Sequence, residues 1–255
     1  AGAIDDNASD ALADVIGSSV TLSASTGIGV GGNGSVEVNT TTVTSATSAT
    51  GGIALNLLTD AVAANGLAAD HAMTVTLADA TTSGNVTLTG TAGSGTRTYT
   101  LVDTNNGNID ITATAGNVLI GTLTASTDAS AGTTGTVSVT ATAGNINEVV
   151  NDAAAKIIGD SVSLSASTGI GNASVLDVNV MTVTSATSAT GGIRLNLLGD
   201  AVAANNLAAD HATTVTLADA TTSGDITLSS TTGTGLKTYT LVDTNNGNID
   251  ITATA

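Results

Sequence analysis

The sequence predicts an all-β fold: a parallel β-solenoid, with coils of roughly 20 residues stacked into a rod. Three observations predict it. Segment 51–115 returns as 191–255 with 53 of 65 positions identical. Inside each copy a short motif recurs, a turn residue followed by an apolar-x-apolar triplet. The apolar residues are nearly all Val, Ile, Leu and Ala, with no Phe, Trp, Cys or Pro and only Tyr99 and Tyr239 as aromatics.

Small, largely β-branched side chains suit a thin core between strands rather than the deep core of a compact domain. Thr, Ser, Gly, Asn and Asp fill the other positions and favour turns and strand surfaces over long helices. Hydrophobic residues make up 41% of the chain and recur regularly, which excludes a disordered linker.

The repeat sets the organisation. SVTLSASTGIG (19–29) returns as SVSLSASTGIG (161–171), and AGAI at Ala1 aligns with AGNI at Ala143. Unit one is therefore 1–142 and unit two is 143–255, shortened at its end, and the two are expected to form one continuous rod. Duplication of a globular domain would also give two copies, but repeat architecture is the commoner source of such self-similarity.

Taken in order, the strand triplets are Val20-Thr21-Leu22, Val36-Glu37-Val38, Ile53-Ala54-Leu55, Val75-Thr76-Leu77, Val86-Thr87-Leu88, Ile109-Asp110-Ile111, Val118-Leu119-Ile120 and Val137-Ser138-Val139. Alternation places the outer residues of each inward and the middle one outward. The connections lack regular two-residue Asn-Gly loops, which favours coils over hairpins. Seven coils per unit at ~4.8 Å each give a chain of roughly 60 Å. Two Ala-rich stretches, 8–16 and 60–71, fit the pattern poorly, as do their counterparts 150–158 and 200–211. Each is expected to leave the rod as a helical turn or a loop.

The charge narrows the partners. Twenty-one acids face four Lys and Arg, a net charge of −17. Four scattered cations cannot form the basic stripe that phosphate binding needs, so no nucleic-acid partner is expected. No stretch of about 18 apolar residues exists to insert in a membrane, and the first residues do not read as a secretion leader. Like-charged faces resist lateral sticking of strand-rich rods.

The runs SVTLSASTGIG, GGIALN and GGIRLN, GNIDITATAGN and SGNVTLT resemble those of filamentous haemagglutinin-like and large adhesin-like bacterial surface proteins. The likeness covers nearly the whole chain and rests on short strand motifs. It implies a right-handed parallel β-helix at the cell surface or outside the cell, acting in adhesion, biofilm or fibre formation.

Few residues suggest chemistry. The run Asp103 to Asp110 offers Asp103, Asn105, Asn108 and Asp110 around Gly107, and returns as Asp243, Asn245, Asn248 and Asp250. Closely spaced oxygen donors at a Gly-permitted turn are what calcium takes, although a plain Asn/Gly turn reads the same way and no other cofactor is suggested. Asp70-His71 and Asp210-His211 offer one His per unit, a poor zinc set that reads as a loop His with local hydrogen bonds. Gly27-Ile28-Gly29-Val30-Gly31-Gly32 formally matches a phosphate loop, but no helix follows it, so it reads as a turn. Outward Thr pairs such as Thr42/Thr44, Thr74/Thr76 and Thr98/Thr100 raise an ice-binding face.

The function expected is that of a structural rod, not an enzyme, since a carbohydrate-active β-helix would need a basic residue among clustered acids. Calcium stabilisation is the alternative. The partners expected are a head-to-tail neighbour, or covalent continuation of the array, and a host or matrix surface ligand.

Overall fold

The computed structural model describes residues 2–8, 10–82, 84–105, 107–125 and 135–254. Among the described residues eighteen strands form a single hydrogen-bonded sheet, and every pairing between named strands is parallel. No α-helix occurs among the described residues. The expected all-β, parallel, solenoid-like architecture is therefore present.

Stacked partners define two files of strands. The first runs Ile4, Ile28, Ile53, Val86, Ile109, Val137, Val162, Val183, Val215 and Tyr239. It contains β3 (Ile53–Leu58), β6 (Val86–Gly90), β8 (Ile109–Ala113), β10 (Thr136–Ala141), β15 (Thr213–Ala220) and β17 (Lys237–Thr244). The second file carries β4 (Met73–Val75), β5 (Ala78–Ala80), β7 (Arg97–Thr104), β9 (Val118–Ala125) and β11 (Ile146–Glu148), then Ile170, β14 (Ile193–Leu197), β16 (Ile226–Ser230) and β18 (Ile249–Ala253).

Four long strands, β1 (Val15–Ala24), β2 (Val36–Ser48), β12 (Ile157–Ala166) and β13 (Leu176–Ser188), turn a corner and join the files. Their first residues pair in one file and their last in the other. In β12, for example, Ile157 pairs with Leu123 whereas Val162 pairs with Val137.

Successive strand layers alternate strictly between the files, and this has a consequence for the repeat. From Ile4 to its counterpart Ile146 there are eleven steps, an odd number. Ile28 accordingly stands in the first file and its counterpart Ile170 in the second, while Val20 and Val43 stand in the second and Val162 and Val183 in the first. Each element of unit two lies on the side opposite to its twin in unit one.

Partners in adjacent layers are 21 residues apart at Val162/Val183 and 33 apart at Ile53/Val86, longer than the roughly 20 expected. The added length lies in corners and excursions. Ten layers at ~4.8 Å give the first file roughly 45 Å, rather than the ~60 Å that shorter coils would give.

The core is the space between the files. Val86, Leu88, Ile111, Val118, Ile120, Val139, Ile53 and Leu55 are fully buried, as the triplets predict. One triplet is corrected. Leu77 is only half-buried because Thr76 and Leu77 form a break between β4 and β5, and the inward position passes to Ala78. One residue beyond the strict alternation between Val75 and Ala78 shifts the inward face by one position.

The excursions at 60–71 and 200–211 are loops built around the 3₁₀ turns Ala63–Asn65 and Ala203–Asn205, each closed by a short antiparallel bridge, Val62/Leu67 and Val202/Leu207. The second reaches back along the rod, and buried Asn205 donates to the Ala125 carbonyl of unit one. Within 8–16 and 150–158 the chain bends through Asp-capped turns before entering β1 and β12. At the corners, Gly29 and Gly171 adopt φ of 61° and 67°. A Cβ at Gly29 would lie 2.2 Å from the Ala54 carbonyl oxygen, so stacking there requires glycine.

Candidate functional site

In unit one three carboxylates converge at the corner that precedes β1. Asp6 lies just after the Ile4 layer, Asp14 just before β1, and Glu37 on β2 in the next layer. One oxygen from each lies within 4.8 Å of the others. Backbone pairing brings them together: Glu37 N–H donates to Asp14 Oδ2 at 3.0 Å, and Asp14 N–H donates to the Glu37 carbonyl at 2.9 Å. Asp6 Oδ1 accepts the Ala8 N–H at 2.9 Å and its carbonyl accepts Asn33 Nδ2 at 2.9 Å, which fixes the bend.

Asp6 and Glu37 are buried, with 5% and 6% of their surfaces exposed. Asp6 Oδ2 has no hydrogen-bond partner among the described residues. Glu37 Oε1 accepts from Ser35 Oγ at 3.3 Å and is 3.5 Å from Asn56 Nδ2. Burial, and then the neighbouring Asp14 and Asp6 carboxylates, hold the Glu37 carboxyl above the usual glutamate range against the Asn56 contact.

The same place in unit two has a different composition. Asp6, Asp14 and Glu37 correspond to Glu148, Lys156 and Asp177. All three are buried. Lys156 Nζ donates to Asp152 Oδ1 at 2.6 Å, and Asp177 Oδ1 accepts Asn196 Nδ2 at 2.6 Å. Burial raises the Glu148 and Asp177 carboxyls, while Ser174 and Lys156 oppose this at Glu148, and Asn196 and Lys156 at Asp177. A groove beside them is lined by Asn151, Asp152, Ala153, Val175, Asp177, Asn196, Ser229 and Thr231.

The residues that sequence singled out for calcium are divided by a corner. Asp103 closes β7 in the second file and Asp110 lies in β8 in the first, where it pairs laterally with Thr87 and Ser138. Asn108 joins a ladder, its N–H donating to Asn85 Oδ1 and its Oδ1 accepting the Thr136 N–H, both at 2.9 Å. Asn105 Nδ2 donates to the Thr82 carbonyl at 3.2 Å. In unit two, Asn248 N–H donates to Asp225 Oδ1 at 2.8 Å, and Asp243, Asn245 and Asp250 are exposed. The corner amides thus hold one layer to the next.

Both histidines bridge their loop to a strand. His71 Nδ1 is 2.9 Å from the Ala68 carbonyl and Nε2 is 3.1 Å from that of Thr40. His211 repeats this with Ala208 and Val180 at 3.0 and 3.3 Å. Gly27 to Gly32 forms a corner, as expected. Thr42, Thr74 and Thr98 stack in register, but the next partner in that file is Leu119, and Thr44 falls where the β1/β2 register shifts.

Sequence reading passed over Asp6, Asp14 and Glu37. The signal was present in the alignment of the two units, where Asp14 becomes Lys156 inside an otherwise similar stretch. Compared with family models, curated proteins and solved structures, the chain matches none of them.

Proposed function

We propose that the chain is a structural repeat segment of an extracellular bacterial surface filament or adhesin, a rigid rod and not an enzyme. One observation carries this reading: the apolar files pass the boundary between units without interruption, with Val137 and Val139 of unit one in register with Val162 and Leu164 of unit two. A unit therefore extends the rod through ordinary strand pairing and needs no separate interface, which suits a part whose task is length and stiffness. The winding is taken as right-handed, the hand of nearly all crossovers between parallel strands.

Continuation of the array, or a second copy stacked head to tail, supplies the next layer. In such an array each layer is covered as Ile109 and Ile111 are, which lie buried between β6 and β10. A host or matrix ligand would meet the loops 60–71 and 200–211. Because one joins the first file to the second and the other the second to the first, units in series present this loop on alternate edges of the rod.

Electron microscopy and light scattering of the purified chain over a range of concentrations test the proposal. Unbranched rods that lengthen with concentration are expected. Compact particles would overturn the rod, and short rods of fixed length would overturn the stacking.

A further inference from the structure

We propose that Asp6, Asp14 and Glu37 form a calcium site in unit one, and that the Lys156 ammonium takes the place of the ion in unit two. The inference goes beyond the scaffold reading and does not depend on it. Three oxygen donors within 4.8 Å of one another, without His or Cys, are a hard set that suits calcium rather than a transition metal.

A cluster of acids alone would carry little weight, since acids gather on many surfaces. Here two of the three are buried, and Asp6, 5% exposed, turns into the cluster a carboxylate whose Oδ2 has no partner among the described residues. A buried anionic oxygen without a donor is costly, and a bound cation removes that cost.

The second unit supplies the independent observation. Its backbone repeats that of the first at this corner: the Val15/Val38 pairing of unit one returns as Ile157/Val178, and the bend capped by Asp10 returns capped by Asp152. Yet a buried lysine stands where Asp14 stood: its ammonium pairs with Asp152 at 2.6 Å and acts on the Glu148 and Asp177 carboxyls through its charge, with no hydrogen bond to Glu148 among the described residues. The formal charge of that trio is −1. Three carboxylates carry −3, and a dication brings them to the same −1. The two units reach one charge state at one corner, the second with a covalently attached cation and the first with a site for a free one.

Calcium binding to the full chain, followed by isothermal titration with calcium chloride and by thermal melting in calcium or chelator, tests this. The wild-type chain is expected to take up one calcium ion and to melt at higher temperature with calcium than without. Asp14→Lys copies the natural sequence of unit two, so it is expected to fold, to lose affinity by at least about tenfold, and to melt at the same temperature in both conditions. Lys156→Asp is expected to raise the uptake to two ions per chain. Three results overturn the proposal: no uptake by the wild type at millimolar calcium, uptake that survives Asp14→Lys unchanged, which would place calcium elsewhere, as at Asp103 to Asp110, and uptake that Lys156→Asp leaves at one.

Discussion

Arg97 and Lys237 occupy the same position in the two units and meet opposite fates. The Arg97 guanidinium is 1% exposed and donates to the carbonyls of Leu57, Ala92, Gly95 and Ala115 at 2.8 to 3.2 Å. Room for it comes from Gly90, where a Cβ would lie 2.3 Å from Arg97 Nε. In unit two that glycine is Ser230 and the cation is the slimmer Lys237, whose buried Nζ has no hydrogen-bond partner among the described residues. Burial lowers the Lys237 pKa, opposed by Asp210.

A planar fork of five donors can satisfy several carbonyls at once, which a point charge on a flexible stem cannot. The difference teaches that the fold does not depend on any one polar solution. The apolar files hold the layers, and the buried polar positions vary between units.

The largest expected effect separates the files from the bare layer. Ile109→Asp should destabilise the chain by about 4 kcal/mol or more, because it places an unpaired charge between layers on both sides. The same change at Ile249, already 46% exposed, should cost about 1 kcal/mol or less. Urea unfolding measures both. Equal effects would show that the two layers are equally covered in solution, and a loss of concentration-dependent rods in Ile249→Asp would show what covers the second.

Next in size is the pair just compared. Arg97→Ala should cost about 3 kcal/mol, since it strips donors from at least four inward-facing carbonyls. Lys237→Met, by contrast, removes a buried nitrogen without a partner and should be neutral or stabilising by up to about 1 kcal/mol. If Lys237→Met proved as harmful as Arg97→Ala, the ammonium would be hydrogen-bonded in solution.

Much of this fold was legible in the sequence, and particular residues show why. The triplets Val86/Leu88, Ile109/Ile111 and Val137/Val139 are inward because a period of two admits no other placement once one face is buried. Leu77 was misplaced because a single residue beyond the alternation leaves no mark in composition. The odd number of layers per unit could not be read either, since counting them requires knowing that β4 and β5 share one layer. The acid corner was hidden for a similar reason: Asp6, Asp14 and Glu37 are scattered over two coils, and only the register of β1 on β2 brings them together. The Asp103 to Asp110 run, dense in one dimension, is split by a corner in three.

The smallest predicted effect concerns Asp103 and Asp243, identical residues in different surroundings. Asp103 stacks between Asp79 and Thr124, with Thr47 beyond, and its Oδ1 is buried without a partner among the described residues. Burial, and then the Asp79 carboxylate, push its pKa up to about 6, against the Thr104 N–H. Asp243 stacks on Asp219 but is exposed. A raised carboxyl pKa means that the folded chain binds the proton more tightly than the unfolded one. Stability from this group therefore rises as pH falls from 7 through about 6, levels off below the unfolded value near 4, and is lost again as pH rises. Allowing for partial exposure, the contribution is about 1–2 kcal/mol. Asp103→Asn should raise the urea midpoint at pH 7 and flatten its change between pH 5 and 7 relative to the wild type. Comparing variants rather than reading the wild type alone cancels the general relief of repulsion that any chain of net charge −17 gains on acidification. A wild-type slope unaltered by Asp103→Asn would mean that the Asp79/Asp103 stack is solvated, and that the second file is open to water at that edge.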